Sequence, residues 1–175
     1  LKEVKEFFEV HNLCIDVVTI KIIEFDRSNK GHPLNFRFNA DRVISLEYEP
    51  LNPQLSVSTA FIKHSAIRNR RFKTNLVSSE DTNMINKILL DKKAYGILKS
   101  PVYYYRKRLD NSSSIDTNLS KKEYYIDRLK YHFLNLIEYC FSKEGKIPLF
   151  IQYTLAYNIQ WMVTPTMPKF DSKEE

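Results

Sequence analysis

The stretch whose reading decides the fold is IDVVTIKIIEF, Ile15 to Phe25. It is rich in β-branched residues and partly alternates, a pattern that suits a pleated surface with one face well buried, so it predicts a strand. Upstream, Leu1, Val4, Phe7, Phe8 and His11 recur at helical spacing among good helix formers. They predict a short amphipathic helix that opens without a cap. Downstream, Asp26 to Pro33 (DRSNKGHP) reads as a loop. Arg42 to Leu46 (RVISL) is a second, short strand, broken by the two prolines of EPLNP at 49–53. Ser58 to Lys63 (STAFIK) is a third.

Further along, Ser78, Ser79, Glu80 and Asp81 lead into Met84, Ile85, Ile88 and Leu89 at helical spacing. Serine followed by acidic residues marks a helix N-terminus. Tyr95 to Tyr105 returns to strand character, with Pro101 indicating an edge or a strand start, and Asn111 to Ser114 is a polar loop. Ser120-Lys-Lys-Glu123 has the form of a capping box. It precedes an apolar stripe of Tyr125, Leu129, Phe133, Leu136, Ile137, Cys140 and Phe141, the mark of an amphipathic helix. Gly145 ends that helix, and Pro148 can open another that runs to about Val163.

No charged residue occurs from Ile147 to Pro168, but Gln152, Tyr153, Thr154, Tyr157, Asn158 and Gln160 make this run too polar for lipid. It predicts a helix packed against the rest of the fold. The order helix, three strands, helix, strand and two long helices defines an α/β sheet with helical cover. There is no internal repeat.

At 175 residues the chain is one domain or a large piece of one, and 43% hydrophobic with 27% charged residues is the composition of an ordinary soluble globular protein. Its 3 glycines stand alone, which excludes a glycine-rich phosphate cradle. Cys14 and Cys140 lack partners at metal-ligand spacing, so a zinc ribbon and a disulfide framework are excluded. Both read as small buried hydrophobes. The 4 histidines are dispersed. No basic stretch followed by an apolar core opens the chain, so no signal peptide is visible, and a first residue Leu1 rather than Met suggests that something upstream is missing.

The net charge of +6 suggests a phosphate-bearing partner. One basic cluster comprises Lys63, His64, Arg68, Arg70, Arg71 and Lys73, and another Lys99, Arg106, Lys107 and Arg108 beside Tyr103, Tyr104 and Tyr105. Cations interleaved with aromatics can bind single-stranded nucleic acid. They can equally hold a nucleotide diphosphate, or form a solvated basic face over buried tyrosines. If 103–108 is a strand, Arg106 and Arg108 share one face and Lys107 points away.

Taken together, these segments resemble bacterial family 2 glycosyltransferases of the GT-A fold, of the type found in capsule, teichoic-acid and other surface-polysaccharide clusters. The resemblance rests on Val17 to Phe25 with Gly31-His32-Pro33-Leu34-Asn35; Ser58 to Lys63; and Arg71-Phe72 with Asn75-Leu76 before Glu80-Asp81. It continues with Tyr95-Gly96 before Tyr103 to Arg108 and Ser112 to Ile115, then Ile147-Pro148 with Ile151-Gln152-Tyr153 before Gln160-Trp161. It implies a partial GT-A (Rossmann-like) mixed sheet with two long C-terminal helices, the N-terminal nucleotide-binding half missing. It also implies inverting transfer of a sugar from a nucleotide-sugar donor to a hydroxyl of a surface-glycan or lipid-linked acceptor.

In that resemblance Asp81 matches the catalytic base, with Glu80 its supporting neighbour. A hydroxyl is a weak nucleophile, and a carboxylate within hydrogen-bond reach can take its proton. A helix N-terminus favours the ionised carboxylate that can do so; without the resemblance both acids read as helix-capping residues. Arg106, Arg108 and Ser113 match the region near the donor diphosphate, where arginine supplies a fixed, always-charged fork. The plainer reading is a basic edge strand kept charged against aggregation.

The family holds a divalent metal, Mg or Mn, through D-x-D, and no D-x-D occurs here. Glu47-Tyr48-Glu49 is the nearest pattern but lies beyond the family's position for it. The metal is therefore expected in the full-length enzyme with ligands outside this chain. The expected division is 1–118 for the C-terminal portion of the catalytic domain, 119–163 for a helical extension packed on it and 164–175 for a linker or tail. By itself such a piece is expected to be inactive. The type works at the cytoplasmic face of the bacterial membrane, so the basic patches can also meet anionic lipid. No nucleic acid is expected. The rival readings are a non-catalytic binding module derived from such an enzyme and, behind it, a nucleic-acid-binding domain.

Overall fold

The structure is a computed structural model that describes residues 1–76, 78–110, 112, 117–118 and 121–163. Four strands, β1 (Val17–Asp26), β2 (Arg42–Ser45), β3 (Ala60–Ile62) and β4 (Ala94–Lys107), form one sheet in the order β2-β4-β1-β3. β1 and β4 are parallel, while β2 and β3 run antiparallel to their neighbours, so the sheet is mixed. The helices are α1 (Lys2–Val10), α2 (His64–Ile67), α3 (Glu80–Lys92), α4 (Lys122–Asp127), α5 (Asn135–Glu144) and α6 (Leu149–Val163). A π-helical segment, Arg128–Leu134, joins α4 to α5, and Pro33–Arg37 is a 3-10 turn. The architecture is α/β, consistent with a partial Rossmann-like fold.

β1 is more central than its alternation predicts: Val17, Val18, Thr19 and Ile20 are all buried. Val17 joins a large apolar cluster with Ile44, Ile97, Ile85, Leu136 and Ile151, whereas Val18 and Ile20 pack with Val4, Ile15 and Leu98 on the α1 side. A strand covered on both faces carries a near-continuous apolar run. Beyond Thr19, where β3 pairing ends, the β1 edge is covered by loops instead. Thr59 and Lys30 accept from Ile20 and Glu24 N–H at 3.0 Å each.

Pro101 is not at a strand start, but it does lie where β4 is a sheet edge, since β2 pairing ends at Ile97 and the rest of the strand pairs with β1 alone. It lies inside β4, at a bulge where the β1 register jumps from Ile20↔Leu98 to Lys21↔Val102. Proline has no N–H to donate, and a bulge is a place where none is required.

The long helix departs further from the sequence pattern. Ser120 of the capping box lies outside the described residues; the N-cap is Lys121, and it makes no side-chain cap bond. Within the helix Tyr124, Arg128, His132, Leu136 and Cys140 form a buried line at a spacing of four with Phe133 buried beside it, while Leu129 and Phe141 are 48% and 53% exposed. The wide i→i+5 turns of the π segment shift the phase of the helix face, so a 3.6-residue stripe misassigns both ends. Gly145, at φ 67, ends α5, the left-handed conformation glycine adopts without strain. Among the described residues no helix is long and apolar enough to cross a membrane. Cys140 is buried, and burial pushes its thiol up to about 11, but Cys14 is exposed in the turn between α1 and β1. Only one of the two cysteines is a core hydrophobe.

Candidate functional site

A cleft of about 620 Å³ opens along the second half of β1. Ile20, Ile22 and Glu24 line one wall with Tyr105 and Lys107 of β4, and the loop 54–59, the 3-10 turn, Asp81 and Trp161 complete it. Two polar devices hold its loops. Asn35 donates from Nδ2 to the Ile22 carbonyl at 2.7 Å, fastening the 3-10 turn to β1, and His32 Nδ1 accepts from Leu34 N–H at 3.2 Å. Burial and the Arg37 guanidinium hold His32 below its ordinary pKa, which suits an accepting imidazole nitrogen.

Arg37 is the second device. Buried, it donates to the Pro53 carbonyl and, at 2.6 Å, to Gln54 Oε1. Gln54 in turn donates to the Ser56 carbonyl at 2.7 Å and to Thr59 Oγ1 at 3.1 Å. The guanidinium also lies over the rings of Phe38 and Tyr95, 5.0 and 5.6 Å from their centroids. A fork of fixed donors is well suited to fastening an irregular loop.

Asp81 projects from the first turn of α3 onto this loop. Its Oδ2 accepts from Val57 N–H at 3.0 Å and from Ser56 Oγ at 3.4 Å, and Oδ1 accepts no bond among the described residues. The carboxylate does not cap its own helix: the N-cap, Ser79, sits at φ 69 and makes no side-chain cap bond. Glu80, in the same turn, does not line the cleft.

The basic segment alternates between Arg106 and Lys107, and it is the lysine that faces the cleft. Lys107 lines the cleft, 3.3 Å from Glu24 Oε1. Arg106 does not; its side chain is 65% exposed and pairs with Asp26 at 2.9 Å. Arg108 follows the end of the strand and donates to Ser112 Oγ at 3.3 Å. Lys107 thus points away from Arg106, as alternation along a strand requires, and the bulge at 99–101 sets which of the two faces the cleft. Ser113 lies outside the described residues. The three tyrosines are not alike either, since Tyr105 lines the cleft, Tyr103 packs toward α1 and Tyr104 is exposed.

Among the described residues no group of three His, Cys, Asp or Glu side chains could hold a metal ion. Glu49 is engaged by a two-pronged bond from Arg42 at 2.6 and 2.8 Å, and Glu47 lies 3.7 Å from Lys93. The described residues thus do not assemble a divalent-metal site.

Sequence reasoning does not single out Arg37, Gln54, Asn35 or Trp161 as site residues, and it reaches Lys107 only as part of the basic cluster. Asn35 and Trp161 do lie in segments that carry the resemblance.

An α/β sheet with a loop-built cleft beside a carboxylate is the class that fold and site define. Over 160 residues, 91% of its length, the chain is 35% identical to the minor teichoic acid biosynthesis protein GgaB of Bacillus subtilis (strain 168), the match covering 18% of that protein. It is 25% identical over 168 residues to the minor teichoic acid biosynthesis protein GgaA of the same organism, covering 94% of this chain and 37% of GgaA. The chain is therefore similar to a part, well under half, of each of these two teichoic acid biosynthesis proteins. No family model and no solved structure matches it.

Proposed function

We propose that this chain is the acceptor-side part of a family 2 glycosyltransferase acting in teichoic acid or related surface-glycan synthesis. In this reading the acceptor hydroxyl enters the cleft beside Asp81. Its oxygen attacks the anomeric carbon of a nucleotide-sugar from the face opposite the leaving group, its proton passes to the Asp81 carboxylate, and the bonding electrons depart with the nucleotide diphosphate. The observation that carries the reading is the Asp81 carboxylate on the cleft wall, held through Oδ2 while Oδ1 accepts no bond among the described residues. Positioning one oxygen while sparing the other is what a general base requires. Trp161, 48% exposed, offers an apolar wall to a sugar ring. Similarity to the two teichoic acid proteins supports the substrate class.

Arg106, Arg108 and Ser113 are assigned to the donor diphosphate, with Glu80 supporting Asp81. Arg106, near the end of β4, and Arg108, just past it, are both exposed, where a nucleotide can approach them. Stabilising charge on the leaving group lowers the barrier.

The test is Asp81→Asn in the full-length protein. Asparagine keeps a side-chain carbonyl for the Val57 N–H, so the loop stays in place while the base is lost. Turnover is expected to fall by a factor of roughly a hundred or more with donor affinity nearly intact. Retained turnover would mean that the carboxylate only braces the loop, as a non-catalytic module requires. Arg106→Ala and Arg108→Ala are expected to weaken nucleotide-diphosphate affinity, and unchanged affinity in both removes the grip.

A further inference from the structure

The cations at 63–73 are not used by the cleft, and their partners are unevenly supplied. Lys63 lies 3.5 Å from Asp16, and Arg70 donates to Asp91 at 2.7 Å, an acid that Lys143 also engages. Among the described residues Arg71 donates only to the carbonyls of Arg68 and Arg70, at 2.8 Å each. Facing them across a hollow of about 490 Å³ is Lys87 of α3, half-buried and without a carboxylate partner among the described residues. Its ammonium rests on Asn135 Oδ1 at 2.6 Å and over the Tyr139 ring, 5.1 Å from the centroid. Burial, and then the nearby Lys73, hold Lys87 down to about 8. The other titratable neighbours that act on it or feel it are Cys140 and His132.

A half-buried ammonium facing guanidinium groups and no available carboxylate is costly unless an anion joins them. The hollow is lined from different elements: Arg70, Arg71 and Asn69 follow α2, Asn83 and Lys87 stand on α3, and Tyr139 belongs to α5, with Asn83 Nδ2 turned to His132 and Asn135. Convergent donors with more than one positive charge match a group that presents several oxygens and carries negative charge. We propose that this hollow is a phosphate-binding site that receives a phosphate ester, with Lys87 and Arg71 as its charged contacts. A phosphate here has two chemical sources, a free or terminal phosphate and a phosphodiester within a polyanionic chain. The site does not depend on the role given to Asp81.

The experiment uses the full-length protein with its lysines 13C-dimethylated, the Lys87 signal being assigned by its loss in Lys87→Arg. It is titrated separately with inorganic phosphate and with bis(glycero)phosphate, a small phosphodiester. A saturable shift of the Lys87 signal is expected, with the signals of exposed Lys2 and Lys5 unmoved. Arg71→Gln should raise the half-saturating concentration at least about five-fold, and Asp81→Asn should leave it unchanged. Saturation by inorganic phosphate supports the site and identifies a free or terminal phosphate. Saturation by the diester alone supports it and identifies a chain-internal group. If neither ligand saturates Lys87, or if Arg71→Gln changes nothing, the proposal is overturned.

Discussion

His132 makes stability depend on pH in a way that can be worked out from its surroundings. The imidazole is fully buried within the π segment, its Nε2 has no hydrogen-bond partner among the described residues, and Nδ1 faces Asn83 Nδ2 at 3.4 Å. Burial first, and then the positive charges of Arg128 and Lys87, push it down to about 3 from an ordinary 6.5. A base with a depressed folded-state pKa stays neutral in the native protein while the unfolded chain takes up a proton. Stability is therefore fully present above about pH 6.5 and declines as pH falls toward about 3. The decline approaches about 1.4 kcal/mol per pH unit. Between about pH 7 and about pH 5 it amounts to about 2 kcal/mol, and across the whole shift to about 5 kcal/mol. The perturbation is His132→Leu, compared with the unaltered protein by urea unfolding across this range. The difference is the quantity to read, because His32 is shifted in the same direction. The unaltered protein should lose about 2 kcal/mol more than the variant between the two pH values. A difference that stays constant with pH would refute the assignment of His132 as a buried, neutral imidazole.

Two further outcomes test the packing. A methyl group added at Gly96 would lie 2.5 Å from Phe7 Cε1 and 3.0 Å from Ile15 Cδ1, so Gly96→Ala should cost about 1 to 3 kcal/mol in urea unfolding, part of it recovered by Phe7→Leu. Buried Arg128 donates to Tyr124 Oη and Asn158 Oδ1 at 2.7 Å each, with no carboxylate among the described residues. Asn158→Leu should cost about 1.5 to 3 kcal/mol, and a double-mutant cycle with Arg128→Met should show that most of this loss requires the charge.

Where burial follows local periodicity, the chain can be read directly. Val4 and Phe7 dock α1, β1 starts within two residues of its apolar run, and Met84, Ile85, Ile88 and Leu89 form the buried side of α3. Asp81 could be placed in the first turn of a helix because that is a local feature, whereas its candidate role comes from the resemblance alone. Arg37 could not be singled out: it holds residues 53–54 across the chain, and nothing within its own few residues distinguishes a buried guanidinium from a surface one. Arg128 and His132 were hidden for a different reason. A π segment changes the angular step of the helix, so polar residues enter the interior at a spacing of four that a regular period assigns elsewhere.

The same sensitivity to phase governs the cleft. Before the bulge, Val18 pairs with Gly96 and Ile20 with Leu98; after it, Ile22 pairs with Tyr103 and Glu24 with Tyr105. Three inserted residues are an odd number, and side chains alternate with period two, so the insertion exchanges the two faces of β4 relative to β1. Without it Arg106 would share the side of Ile22 and Glu24. With it, Tyr105 and Lys107 do, and Lys107 meets Glu24 inside the cleft while Arg106 is turned to Asp26 outside. Any role for Arg106 in gripping a diphosphate therefore places that diphosphate on the rim of the sheet, not on the cleft floor beside Ile22. On the proposed reading the acceptor would then occupy the cleft, and the reacting carbon would lie between the two, beside Asp81.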